Sequence, residues 1–256
     1  MKKKIAAVCK TIGIISLFLL AGAYFAGSAT IVKKQEDQTL CKTIDVRIVD
    51  SASIQLVVPQ DVYTLLENKK IYLIGEKLYK IDLFQLEQLI NQEKGIKKCE
   101  IYTQPDGTLT IRIFQRTPLL RLETSQGSYY VDETGALFPT IPKRTVHVPV
   151  VSGKIPIKDS VWIAQLFDFG NYIRNHRFWN ARIEQLYVHN PHNIEIIQQI
   201  DNQEIVMIGD LSRFEYKLQK LYTFYHTVAT IEGGNKYAFI DLRFSNQIVC
   251  RRTPPS

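Results

Sequence analysis

The sequence predicts an α+β protein with a single N-terminal transmembrane helix, a small mixed domain after it and a strand-rich second domain. Three observations predict this class. One uncharged apolar run lies near the N-terminus, strand and helix periodicities then alternate over a short stretch, and strand patterns dominate the remainder. Aromatic and β-branched residues are plentiful beyond the apolar run, so packed cores are expected there.

The apolar run from Thr11 to Val32 contains no charged residue. About 20 apolar residues are enough to cross a bilayer as a helix, because every backbone group is then hydrogen-bonded within the segment. Four lysines precede the run, and only Lys33 and Lys34 follow it at once. This lysine bias predicts a cytoplasmic tail at 1–10 and an exterior location for everything after the helix.

A cleaved secretory signal peptide is the alternative interpretation of this run. Ala21-Gly22-Ala23 or Ala26-Gly27-Ser28 could serve as its small-residue cleavage site. However, the run is longer than the usual signal core of about 7–15 residues, which favours an uncleaved anchor.

Two exterior domains are predicted, at 43–116 after a linker over 33–42, and at 117–251 before a short tail at 252–256. In the first domain the predicted strands are 41–49, 96–103 and 108–115, and the predicted helices start at Pro59 and Asp82. The inward helix faces are predicted to be Val62, Leu65, Leu66, Leu83, Leu86, Leu89 and Ile90. Gly95 ends the second helix, and Pro105-Asp106-Gly107 forms the turn between the last two strands.

The second domain is predicted to contain mostly short strands, together with two longer helices. The predicted strands are 119–124, 129–131, 136–138, 183–189, 194–200, 205–208 and Tyr237 to Val249. One helix is predicted over 159–174, with Trp162, Leu166, Phe169 and Ile173 on its inner face. Another is predicted to begin at a capping box, Ser212-Arg213-Phe214-Glu215, and to end at Gly233-Gly234. Its inward residues are predicted to be Phe214, Leu218, Leu221, Tyr222 and Tyr225.

Composition and motifs argue against several classes of function. The net charge of +7 lies partly before the apolar run, and no stripe of basic and aromatic residues indicates a nucleic-acid surface. Beyond the run, Cys41, Cys99 and Cys250 form neither a CxxC pair nor a dyad motif, so a buried apolar role is expected. His189 and His192 flank a turn without further converging metal ligands. No cofactor, metal, catalytic residue or small-molecule substrate is therefore predicted.

Three patterns together resemble the bacterial cell-division family FtsQ/DivIB. The first is Arg116-Thr117-Pro118, at the junction between the two domains. The second is Tyr130-Val131-Asp132-Glu133-Thr134-Gly135-Ala136-Leu137-Phe138-Pro139, followed by Val148-Pro149-Val150-Val151-Ser152-Gly153. The third is Ile240-Asp241-Leu242-Arg243-Phe244 near the end of the chain. Their order and spacing extend the resemblance over essentially the whole chain, although both tails are short.

The resemblance implies a non-enzymatic division scaffold with a POTRA-like first domain. Such proteins assemble with FtsL- and FtsB/DivIC-type partners and so recruit and regulate the septal peptidoglycan synthase. It also implies a single-pass protein of the inner membrane, with its main domains in the periplasm and enriched at the septum. Two rival functions remain from the residues alone: an anchored periplasmic enzyme such as a cell-wall hydrolase, and a POTRA-containing envelope assembly factor.

The predicted partner site is the terminal strand, whose backbone could template a strand added by a partner. The candidate residues are Tyr237, Phe239, Asp241, Arg243, Phe244, Ser245, Asn246, Gln247, Ile248 and Val249. The exposed edge is expected over Phe244 to Val249, which lacks charge and proline. Asp241 and Arg243 share a strand face and could instead be a surface ion pair of small energy. For Phe244, strand alternation predicts a core position, whereas the family resemblance implies a position near the partner surface.

Overall fold

A computed structural model describes residues 39–49, 55–198, 204–229 and 237–252. The predicted anchor at 11–32 and the predicted helix end at Gly233-Gly234 lie outside these residues. Within the described part of the chain, no helix combines the length and apolarity needed to cross a membrane. The described residues form two compact units: 39–49 with 58–114, and 55–57 with the residues from 115 onward.

The first unit places two helices against a small sheet. Its strands are β1 (Thr43–Ile48), β2 (Ile96–Thr103) and β3 (Thr108–Gln115), and its helices are α1 (Pro59–Asn68) and α2 (Leu83–Asn91), with a 3-10 turn at Leu78–Lys80. The sheet order is β1-β3-β2, with β1 parallel to β3. Asp82 caps α2 by accepting a hydrogen bond from the Gln85 amide at 3.0 Å, as predicted.

The predicted strand bounds 96–103 and 108–115 are confirmed residue for residue. Leu109, Ile111 and Ile113 alternate inward and are fully buried, which fixes the register of the central strand. The predicted burial of two cysteine side chains is also confirmed, because Cys41 and Cys99 are buried in this unit.

The second unit is built on one large sheet. Its strands are β4 (Pro118–Thr124), β5 (Gly127–Asp132), β6 (Leu137–Pro139), β7 (Val150–Gly153), β8 (Ile183–Asn190), β9 (Asn193–Gln198), β10 (Ile205–Gly209), β11 (Tyr237–Asp241) and β12 (Val249–Arg252). Over the described residues their spatial order is β12-β11-β10-β9-β8-β7-β4-β5-β6. The edges of this sheet are therefore β12 and β6.

Helices cover the core of this sheet. They are α3 (Ser160–Asn175), α4 (Arg177–Asn180) and α5 (Phe214–Phe224), with a π-helical turn at Tyr225–Ala229. Asp159 caps α3 with its carboxylate, and the predicted inner face is confirmed by the burial of Trp162, Leu166, Phe169 and Ile173. Strands β10 and β11 are parallel neighbours because α5 crosses between them.

The predicted capping box at Ser212 is wrong. The residue before α5 is Arg213, in a left-handed conformation with φ of 49° and no side-chain cap. The Ser212 hydroxyl instead donates to Asp210 Oδ1 at 2.6 Å, and Lys217 Nζ donates to the same oxygen at 2.6 Å. The Ser212 hydroxyl is therefore hydrogen-bonded to Asp210, and it does not cap α5.

The prediction of a single strand from Tyr237 to Val249 is also wrong. The chain forms an antiparallel pair, β11 and β12, joined by the loop 242–248. The loop leaves the sheet because contacts from α5 and from Asp241 hold its backbone, as described below.

Candidate functional site

The candidate site is the terminal hairpin, formed by β11, β12 and the loop 242–248 between them. Strand β11 is paired on both sides, in parallel to β10 and antiparallel to β12. A partner strand therefore has no place on β11, and among the described residues the outermost strand at this end of the sheet is β12. Of the predicted edge residues, only Val249 lies on it.

The outward backbone groups of β12 can be assigned from the register. Leu242 N donates to Met207 O of β10 at 2.9 Å. Because successive residues of a strand direct their groups to opposite sides, those of Asp241 point to its partner Val249 on β12. The N–H and C=O of the next residue, Cys250, are then directed away from β11, toward the outer side of the sheet.

The Asp241–Arg243 pair ends β11 and turns the chain. Asp241 Oδ1 accepts from the Arg243 amide at 3.0 Å, and Oδ2 receives the guanidinium Nη2 at 2.6 Å. Burial acts to raise the pKa of the Asp241 carboxyl, but the hydrogen bonds and charge of Arg243 outweigh it, so the pKa lies below its ordinary value. The predicted pair is real, yet Asp241 is buried rather than a surface group.

Helix α5 holds the loop from the other side. Lys220 Nζ contacts the carbonyl oxygens of Leu242, Phe244 and Gln247, and Tyr216 Oη donates to Ser245 O. Burial, together with the nearby charges of Lys217 and Arg213, lowers the pKa of Lys220. The Lys220 ammonium therefore contacts three carbonyl oxygens of the loop. These contacts hold the residues after Asp241 in a loop, so they do not continue the strand.

Phe244 stands out from this loop with 45% of its surface exposed. The core interpretation of Phe244 is therefore wrong, and its ring is available for contact with a partner. Ser245 and Asn246 are exposed beside it, and Ile248 packs partly against the core. Tyr237 and Phe239 are half-buried on β11, so the hairpin brings together the predicted residues on two strands and a loop rather than along one edge.

Sequence reasoning missed the residues that form the edge and those that shape the loop. Cys250, Arg251 and Arg252 complete β12, and the Arg251 guanidinium lies 5.4 Å from the centre of the Phe239 ring. Lys220 and Tyr216 are distant in sequence. One signal was present: Ser245-Asn246 is typical of a turn and interrupts the alternation.

The remaining candidates do not form a reactive site. The described residues contain no cluster of three or more histidine, cysteine or acidic side chains placed to hold a metal. His189 Nε2 lies 3.0 Å from Glu195 Oε1, while the His192 amide donates to Asn190 in the turn. The Asp132 carboxylate interacts with groups of the turn that it begins, and it is buried next to Arg116.

The thiols are expected to be inert. Burial raises the pKa of Cys99 to about 12 and that of Cys250 to about 11, and it also raises that of Cys41. At pH 8 only about one part in ten thousand of Cys99 would be thiolate. We expect iodoacetamide to leave Cys41 and Cys99 unmodified in the folded chain and to modify both in urea, as read by mass spectrometry. Rapid modification before unfolding would contradict this.

Replacing Lys220 by methionine is expected to release the loop. Methionine keeps the aliphatic bulk but removes the donor shared by three carbonyls, and a hydrogen bond to a charged group contributes about 1.5–3 kcal/mol. Amide exchange over 243–248 should accelerate by about tenfold or more. Tyr216→Phe, which removes one bond to Ser245, is the control and should have a smaller effect. Unchanged exchange in Lys220→Met would contradict the role of the ammonium.

Comparison with known protein families gives two matches. The model of the family described as FtsQ/DivIB, C-terminal related, matches residues 117–251, which is more than half of the chain. The POTRA-like domain matches residues 39–114. A search of the curated proteins finds no match for the chain.

Proposed function

Because the chain belongs to the FtsQ/DivIB family of cell-division scaffolds, we propose that it binds FtsL- and FtsB/DivIC-type division proteins through its two exterior domains. Through them it would recruit and regulate the septal peptidoglycan synthase. The family is non-enzymatic, and we propose the same for this chain. We further propose domain limits at 43–116 and 117–251, and a single-pass location in the inner membrane at the septum with both domains in the periplasm.

The observation that carries the binding proposal is the edge strand β12. Of the two sheet edges in the described second unit, β6 ends in Pro139, and proline blunts an edge because it lacks an N–H. Strand β12 has no proline, and Cys250 directs its backbone groups outward. A partner's extended segment could pair there, main chain to main chain, as in other strand-addition complexes.

The side chains around β12 favour an acidic partner segment with an apolar pocket or side chain beside it. Arg251 carries positive charge on the edge, and Arg243 is 47% exposed at its side chain although paired with Asp241. Such charges discourage pairing between two copies of this edge, yet they complement carboxylates on a partner. The exposed ring of Phe244 can anchor the segment in the loop region.

Co-purification from cross-linked membranes tests this function. The full chain should retain an FtsB-type partner, a chain ending at Arg252 should retain it equally, and a chain ending at Ile248 should lose it. The first truncation removes only the four residues after β12, whereas the second removes the edge itself. Full retention by a folded chain ending at Ile248 would refute the proposed site, and absence of every division protein from the full chain's complexes would refute the function.

Binding through the ring of Phe244 can be separated from its structural role. Phe244→Ala is expected to weaken partner binding by about 2 kcal/mol, roughly thirtyfold in affinity, if the ring fills a pocket. Because the ring is exposed, the melting temperature should stay within a few degrees of the parent chain. A large drop in melting temperature would instead indicate that Phe244 supports the fold.

A further inference from the structure

The first unit carries an unusual concentration of exposed apolar side chains. The five most exposed large apolar residues in the described chain are Tyr72, Phe84, Val161, Ile74 and Tyr79, with exposures of 73%, 68%, 67%, 66% and 56%. Four of these five lie between residues 72 and 84. We call Tyr72, Ile74, Tyr79 and Phe84 the cluster, and large exposed apolar side chains concentrated in one segment favour contact with another apolar phase or molecule.

The cluster lies where the chain enters the unit. Gly75 N donates to Cys41 O, and Leu78 N donates to Thr39 O, at 2.8 and 3.0 Å. Residue 39 therefore lies directly beside the segment that carries the cluster. Only the six residues 33–38 separate it from the uncharged run that ends at Val32, and the seven chain steps from Val32 to Thr39 reach about 25 Å at most. If that run is the predicted anchor, the cluster cannot be far from the bilayer surface.

The local structure presents these side chains outward. The Glu76 amide bonds to Leu73 O and closes a turn whose Gly75 has a φ of 89°, so Ile74 occupies the tip. Turn tips usually carry polar residues, whereas the isoleucine here leaves 66% of its surface exposed. An open groove of about 660 Å³ adjoins the turn, with Tyr72 and Leu89 among its lining residues.

The charge pattern around the cluster complements a lipid headgroup layer. Exposed lysines at 69, 70, 77 and 80 lie close in sequence to the apolar residues, whereas Glu76 and Asp82 are the acidic residues between 69 and 84. The Lys77 ammonium lies 5.9 Å from the centre of the Tyr79 ring. Tyrosine and lysine around exposed aliphatic residues are typical of proteins at a membrane interface, where the rings sit at headgroup level and lysines meet anionic lipid.

We propose that this face of the first unit, formed by Tyr72, Ile74, Tyr79 and Phe84 with the neighbouring lysines, docks on the bilayer surface next to the anchor. The occupant of the face is an anionic lipid surface. Docking fixes the height of the unit above the membrane. It goes beyond the proposed scaffold function, because it makes no use of β12 or of any division partner, but it does use the predicted anchor.

A lipid-quenching experiment on the full chain tests the proposal. The chain is reconstituted into vesicles of phosphatidylethanolamine and phosphatidylglycerol in a 3:1 ratio, with or without brominated acyl chains, after flotation has shown that it is inserted. Ile74→Trp places a reporter at the turn tip. Val49→Trp is the matched control, because Val49 is also an exposed β-branched residue but lies at the far end of β1 from residue 39.

We expect brominated lipid to quench the added emission of Ile74→Trp and to leave that of Val49→Trp unchanged, each measured against the parent chain. Adding Lys77→Glu and Lys80→Glu should reduce the quenching in anionic vesicles, since each lysine near such a surface changes partition by about fivefold. Unquenched emission from an inserted Ile74→Trp chain would overturn the proposal, and a blue shift without quenching would assign the face to a protein partner or a second copy. Failure to float would refute the anchor, and partner co-purification through β12 reports separately on the scaffold function.

Discussion

Cys250→Pro is expected to weaken binding of an FtsB-type partner by about 2 kcal/mol or more, at least roughly thirtyfold, while the chain stays folded. The amide of Cys250 is directed away from β11, so proline at this position removes a donor to the added strand and places its ring in the path of that strand. The hydrogen bonds between β11 and β12 are made by its neighbours and should survive. Affinity is measured by titrating the full chain, held in nanodiscs, with the partner's exterior segment.

Two variants isolate this backbone effect. Cys250→Ala shortens the same side chain but keeps the amide, and it should bind almost normally. Arg251→Pro removes an amide that faces β11, so it should destabilise the hairpin before any partner is added. Equal weakening in Cys250→Ala would show that the side chain rather than the backbone carries the interaction.

Asp132→Ala is expected to lower the free energy of unfolding of the second unit by about 3 kcal/mol. Asp132 Oδ1 accepts from the Thr134 amide, the Thr134 hydroxyl and the Ala136 amide, while Oδ2 receives Arg116 Nη1 at 2.6 Å. The carboxylate is 1% exposed, so its removal leaves buried donors without the acceptor that now satisfies them. Trp162 and Trp179 are buried in this unit, so their fluorescence during urea unfolding of the full chain reports the change.

The pH dependence of this loss of stability separates the contribution of the negative charge on Asp132 from that of the shape of its side chain. Burial acts to raise the pKa of Asp132, but hydrogen bonds from Thr134 and Arg116 outweigh it and hold the pKa below its ordinary value. The stabilisation is therefore present above the unfolded pKa of about 3.9 and is lost as the pH falls through the lower folded pKa. Asp132→Asn should differ most from the parent chain at neutral pH and least in acid. Glu184→Ala, at an exposed carboxylate on β8, should change little at either pH.

Predictions from local signals in the sequence were the most accurate. Asp82 caps its helix because an aspartate before an apolar helical stripe satisfies free amides without contacts from elsewhere, and the helix predicted over 159–174 is found at Ser160–Asn175. Strands 96–103 and 108–115 match because alternation and the intervening turn depend on neighbouring residues only. The predicted break between strands 129–131 and 136–138 is also local, and Gly135 there has a positive φ of 81°.

Predictions failed where distant residues decide the local conformation. Alternation continues beyond the end of β11 to Phe244, but Lys220 of α5 contacts the carbonyl oxygens of the loop, and no periodicity in the sequence reports that contact. Similarly, Ser212 bonds to Asp210 instead of capping α5, because that carboxylate also meets Lys217 from the following helix turn. The order of β10, β11 and β12 depends on a crossover through α5 and could not be read from any single stretch.

The sequence predicted a sheet edge over Phe244 to Val249, whereas the outermost strand among the described residues is β12, Val249–Arg252. The third family-like pattern pointed to Asp241 and Arg243, whose pairing turns the chain, and to Phe244, whose ring is exposed. The outward backbone belongs instead to the residues immediately after Val249. Arginines there look like ordinary tail charges in sequence, and only the order of the described strands shows that they lie on the outermost strand of the sheet.

Amide exchange at Cys250 tests the central claim most directly. In the isolated full chain this amide should exchange rapidly, because it faces the outer side of β12, whereas the amide of Val249 should be protected by its bond to Asp241. Addition of an FtsB-type partner should protect Cys250 strongly and leave Val249 unchanged. Saturated partner binding with no added protection at Cys250 would contradict strand addition at this edge.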